Sequence, residues 1–160
     1  MSTDTSIPKK AVELVMPAIK KLFEDYAKRA HGFIVVMNPR IKPWEVDDPM
    51  DAIWYEEQIV DGEKWDYQYG KIAKYKAFQA WREGCHNIVT VTQAPANLRP
   101  GDTFYYGSFN HMGVVVAFSG VEPYFDMLIS AWIATAIQAL SQHEVERYKA
   151  DHPDEDFLPK

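Results

Sequence analysis

A chain of 160 residues, 47% hydrophobic and 25% charged, holds enough apolar material for one core and is short for two domains. Its formal net charge of −6 lacks the surplus of clustered Lys and Arg that a nucleic-acid backbone requires, so no nucleic-acid partner is expected. The lone Cys85 leaves no internal disulfide, no charged and then apolar leader opens the chain, and a reducing, cytoplasmic setting is the expectation. The most apolar stretch is interrupted by Asp126, Ser130, Thr135 and Gln138, so no membrane span is expected.

A single domain over residues 1–160 is expected, with 1–8 as a frayed N-terminus and 151–160 as an acidic tail. Val12, Val15, Ile19, Leu22, Phe23 and Tyr26 recur at intervals of three and four and predict an amphipathic helix. Pro17 inside it predicts a kink or a break. Gly32, following Lys28, Arg29 and His31, reads as the stop signal. Phe33 to Met37 then reads as a buried strand ended by Asn38-Pro39, and Arg40 to Asp51, with Pro43 and Pro49, as a loop. Ile53 to Ile59 follows as a strand whose alternation puts Ile53, Tyr55, Glu57 and Ile59 on one face and Trp54, Glu56 and Gln58 on the other.

Asp61 is an expected N-cap for a helix whose stripe is Trp65, Tyr69, Ile72, Ala73, Ala77, Ala80 and Trp81, ending at Gly84, with lysines 64, 71, 74 and 76 spread around it. Ile88 to Thr92, alternating Val and Thr, predicts a short strand, and Ala94 to Asp102 a loop. Phe104 to Phe109 and Val114 to Phe118 predict two strands joined by a hairpin loop at Asn110 to Gly113. After the Ser119-Gly120 break, Glu122-Pro123 opens a last helix. Its body, Phe125 to Leu140, is apolar around most of its circumference, as befits a helix buried in a core or in a homo-oligomer interface. The fold class expected is α+β, with a central, mainly antiparallel sheet and N-terminal, middle and C-terminal helices.

Six features carry a resemblance over residues 11–146. They are Ile34-Val35-Val36, Lys71 or Lys74 with Ala73 and Ala77, Tyr106-Gly107-Ser108-Phe109, Gly113 to Val116, Ser119-Gly120, and Asp126. In this order of elements the chain resembles the GlcG/HbpS-like family, which includes haem-binding proteins. It departs from that pattern at Asn110, in place of a proline-like position, and at Asn38-Pro39-Arg40, in place of an Asp-Ala-Gly-Gly turn. The resemblance implies helices flanking an antiparallel sheet in a profilin-like outline, assembly into dimers or larger rings, and haem or a related small organic ligand.

The five histidines, at 31, 86, 111, 143 and 152, have no metal-ligand spacing, and no phosphate-cradling glycine loop occurs. His111, at the hairpin tip, is a candidate haem ligand or proton carrier, or else a solvated loop residue. Cys85-His86 could supply a nucleophile and base, although neighbouring residues rarely aim at one another. Glu57, on the more apolar strand face, is a candidate general base, or else pairs with a lysine of the central helix. Most aromatics must be core. Trp54, Tyr105, Tyr106 and Phe109 could nonetheless line a cleft between sheet and central helix, beside Gly107 and Ser108, with Lys71 or Lys74 meeting a ligand carboxylate.

Three functions are consistent with these residues. One is a small-ligand-binding protein that requires no cofactor, haem being the group the resemblance implies. Another is a cofactor-independent lyase or isomerase for a small aromatic or carboxylated metabolite. The third is a structural oligomerisation module.

Overall fold

Two continuous apolar runs, Gly32–Met37 (β1) and Val114–Ser119 (β4), pair antiparallel at the centre of a four-stranded sheet. The computed structural model describes residues 5–59 and 68–160. Its remaining elements are α1 (Ser6–Asp25), β2 (Ile53–Ile59), α2 (Gln68–Glu83), α3 (Asn87–Gln93), β3 (Ser108–His111) and α4 (Pro123–Asp151). The sheet order is β2-β1-β4-β3, and every pairing is antiparallel. The expected Asp61 cap and Trp65 lie outside the described residues.

Strand periodicity divides the core in two. Ile34, Val36, Val114, Val116 and Phe118 project to one side, where α1 and α4 cover them. Val35, Met37, Val115 and Ala117 project to the other, against Ala73, Ala77 and Ala80 of α2. The result is the expected α+β class, with helices on both faces of one antiparallel sheet. Ile129, Ile133 and Ile137 of α4 are buried in the first of these layers, so much of the helix's apolar circumference is covered within the chain. Among the described residues, no helix is long and apolar enough to cross a membrane.

Several local expectations are corrected. Residues 6–8 do not fray but form the first turn of α1, with Pro8 buried. Pro17 neither ends nor divides this helix. Ala11 and Val12 before it and Ile19, Leu22 and Phe23 after it enter the same core, so packing holds one rod across the missing N–H. α1 stops at Asp25, short of Gly32, which belongs to β1. A Cβ at Gly32 would lie 2.1 Å from the Phe118 ring, so this glycine is a packing requirement rather than a helix stop.

Ile88 to Thr92 is the body of α3, not a strand. Five alternating residues carry too short a period to decide the matter, and Asn87 and Thr90 are anchored by burial. Phe104 to Gly107 is irregular, and β3 begins only at Ser108. His111 pairs with Val114, which tightens the hairpin loop to Met112-Gly113. Both residues have positive φ, 52° and 92°, as a two-residue hairpin turn following the sheet twist requires.

In β2 the register slips, Val36 facing Tyr55 and Met37 facing Ile53, so that Trp54 is the extra residue of a β-bulge. The bulge moves Ile53 to the α2 side and leaves Tyr55 and Ile59 on the α1 side, where the plain alternation had put all three together. Replacing the exposed Pro17 by Ala restores a helix donor. Pro17→Ala is expected to stabilise the chain by about 1–3 kcal/mol, read as an upward shift of the urea-unfolding midpoint at constant slope.

Candidate functional site

The sheet-facing stripe of α2 is alanine at positions 73, 77 and 80, and the helical period places Lys76 on that same face. Lys76 is 1% exposed and is among the largest fully buried side chains of the described residues. Its Nζ donates to Asp126 Oδ2 at 2.9 Å and to the Phe118 carbonyl at the end of β4 at 3.0 Å. Asp126, 2% exposed, stands in the first turn of α4, where the helix dipole favours an anion. Its Oδ1 accepts from the Val121 N–H at 3.0 Å. One ammonium thus joins α2, the end of β4 and the start of α4.

Behind the pair, Gly107 has φ 147°, and a Cβ there would fall 2.7 Å from Asp126 Cβ and 2.8 Å from Lys76 Nζ. No larger residue fits without moving the pair. The Gly107 carbonyl accepts from Ser130 Oγ at 2.6 Å, and Ser130 Oγ also bonds the Asp126 carbonyl at 2.8 Å. The buried Asn87 fixes the same segment. Its Oδ1 accepts from Gly107 N–H, Ser108 N–H and Ser108 Oγ at 3.2, 3.3 and 2.8 Å, and its Nδ2 donates to the Tyr105 carbonyl at 2.9 Å. These bonds account for the irregular backbone ahead of β3.

Lys76 and Asp126 line a cleft of about 380 Å3, whose other walls are the Ser119–Pro123 turn, Ile72, Gln68, Tyr69, Arg29 and Tyr105. Arg29 donates to Tyr69 Oη at 2.6 Å and lies 5.3 Å from the centre of its ring. One Glu122 carboxylate oxygen in the turn is buried with no hydrogen-bond partner among the described residues. Burial pushes the Asp126 carboxyl up to about 6 against the opposing pull of Lys76. Burial likewise lowers the proton affinity of Lys76, which Asp126 partly restores. Each group is displaced towards its uncharged form.

Of the expected ligand residues, Tyr105 lines this cleft. Gly107 backs its floor, and Ser108 is buried in the Asn87 network. The others lie elsewhere. Trp54 is 7% exposed in the core shared with α1 and α4. Lys71 points to solvent, and Lys74 pairs with Glu56 at 3.7 Å and lies over the Phe33 ring. Phe109 stacks on His86 at 4.3 Å. Tyr106 is half-buried and does not line the cleft. Of Lys71, Lys74 and Lys76, the one that lines this cleft is Lys76.

The two candidate proton carriers are also outside the cleft. Glu57 accepts from Tyr55 Oη at 2.7 Å on edge strand β2, a tyrosine partner in place of the lysine weighed for it. Burial and that bond hold the Tyr55 phenol above its usual range. His111 is half-buried at the end of β3, its carbonyl accepting from Gln138 at 3.1 Å. Cys85 contacts Thr90 at 3.7 Å, while His86 Nδ1 accepts from the Asn110 N–H at 3.0 Å, so the two form no dyad.

Arg29, Glu122 and the Lys76–Asp126 pair escaped the reading of the sequence. A signal existed for Lys76, a cation three residues after Ala73 and four before Ala80 in an alanine stripe. Among the described residues, no three His, Cys, Asp or Glu side chains gather as a metal site. In comparisons with family models and with curated protein sequences, the chain matches none.

Removing one member of the pair strands the other charge. Lys76→Met or Asp126→Leu alone is expected to cost about 3–5 kcal/mol in urea unfolding, and the double variant far less than the sum. The carboxyl has a folded pKa of about 6 against 3.8 for the free group, so between those values the folded chain keeps a proton that the unfolded chain has lost. Its contribution to stability is therefore present in full below pH 3.8 and declines as pH rises to about 6. Unfolding across this window should show that decline in the wild type and not in the double variant.

Proposed function

We propose that this protein binds a small, flat organic acid in the cleft between α2 and the β4–α4 turn, a small-ligand-binding function of the GlcG/HbpS-like type. The observation that carries this reading is the lining of a cleft of about 380 Å3, where the Arg29 guanidinium and the Tyr69 and Tyr105 rings surround the Lys76–Asp126 floor. That volume lies at the lower end of small-molecule sites and suits one ring with its substituents. Arg29 makes one hydrogen bond to a described residue, which leaves further guanidinium donors for a ligand carboxylate. The unmatched Glu122 oxygen offers an acceptor to a ligand hydroxyl.

Within the haem-or-flat-molecule class, the lining favours the smaller acid. No histidine is among the described cleft residues, so a porphyrin iron would lack an imidazole ligand there. The lyase or isomerase reading is favoured by a separate observation. An acid–base pair forms the floor of the cleft, although it is Lys76 and Asp126 rather than Glu57 or His111.

Titration with phenylpyruvate, followed by calorimetry, is expected to saturate at one molecule per chain. Arg29→Ala should weaken binding about tenfold or more, since a hydrogen bond between charged groups contributes about 1.5–3 kcal/mol. Haem is titrated in parallel by absorbance. A sharp Soret shift with no phenylpyruvate binding would move the reading to a porphyrin, and no binding of either compound would overturn it.

A further inference from the structure

We infer that Lys76 is a nucleophile that forms a Schiff base with the ketone carbon of an aromatic 2-oxo acid held in the cleft, with Asp126 carrying the protons. The inference rests on the cleft being a ligand site and adds to it a covalent activity.

A buried ion pair is a weak source of stability, because two apolar side chains of similar volume would serve the fold as well or better. Lys76 nonetheless occupies the sheet-facing stripe of α2 and ends at the cleft floor. An ammonium has three protons. Two are bound, by Asp126 Oδ2 and the Phe118 carbonyl, and the third has no acceptor among the described residues. The chemistry needs an amine able to shed a proton, a carboxylate within hydrogen-bond reach, and a cation to fix the substrate acid. Lys76, Asp126 at 2.9 Å and Arg29 fill these roles within one cleft.

The steps balance without an oxidant or reductant. The ammonium proton passes to Asp126, and the freed nitrogen lone pair attacks the ketone carbon as the carbonyl π electrons move to oxygen. That oxygen takes the proton from Asp126. Asp126 next removes a proton from the nitrogen and delivers it to the hydroxyl, which leaves as water while the nitrogen lone pair closes the C=N bond. The product is a protonated imine facing the Asp126 carboxylate, so the buried charge pair present at the start is restored at the end. Burial favours the first step, since it disfavours the charged forms of both groups. A protonated imine withdraws electrons from the adjacent carbon, which is the activation a cofactor-independent isomerase or lyase requires.

The test is reductive trapping on the intact wild-type chain. The protein is incubated with phenylpyruvate, reduced with sodium borohydride, and examined by intact mass and peptide mapping. One adduct per chain is expected, with the mass of the oxo acid less one oxygen, located on Lys76 among the chain's twelve lysines. Benzoate, which carries the acid and ring without the ketone, should give none. Arg29→Ala, an exposed change at the rim, should lower the yield about tenfold at subsaturating phenylpyruvate. Saturable calorimetric binding without an adduct, or adducts scattered over surface lysines, would overturn the Schiff base and leave the ligand-binding reading standing. No binding at all would overturn both.

Discussion

The Lys76 ammonium is the point at which the two halves of the chain meet. It reaches from the middle of α2 to an aspartate fifty residues later, and on the way bonds the Phe118 carbonyl near the end of β4. A charge this deep must be paired, so each of these partners is fixed in direction as well as distance. The backbone conforms around them. Gly107 supplies a place where a side chain would collide with the pair, and Asn87 and Ser130 hold Gly107 there. The Ser119–Glu122 turn is confined from the other side, since a Cβ at Gly120 would lie 2.2 Å from the His31 carbonyl.

That construction explains why the cleft sits where it does. The face of α2 that meets the sheet is lined by alanines, whose small side chains bring helix and strands close together, and the cleft opens at the end of that layer. There α2, the β4–α4 turn and the segment ahead of β3 converge, and Arg29 on the chain between α1 and β1 brings a positive charge to the rim. The opposite layer, closed by α1 and α4, is packed with Ile, Val and Phe. The buried ion pair and its cleft thus lie at one corner of the molecule, and the larger apolar layer on the other face.

The sheet was legible because its signals are local. Val114 to Phe118 and Phe33 to Met37 are short apolar runs rich in β-branched and aromatic residues and bounded by turn residues, and that combination reads as a buried strand. Where the reading failed, a tertiary contact outweighed a local preference. Pro17 sits inside a helix because both of its flanks are buried. The β-branched Ile88 to Thr92 is helical because Asn87 is tied to Ser108. Ile53 changes face because the Trp54 bulge shifts the phase of β2.

By itself the sequence determined the α+β class, the two central strands, the hairpin that joins β3 to β4 and the last helix opening at Pro123, since each depends on residues within a few positions of one another. The tertiary structure alone decided the site. Along the chain Lys76 is marked only by its place in the alanine stripe, and burial of that helical face against the sheet is what separates it from Lys71 and Lys74. Its partner Asp126 is remote in sequence, so their meeting is a product of chain closure, and closure is what removes both charges from water and displaces each towards its uncharged form.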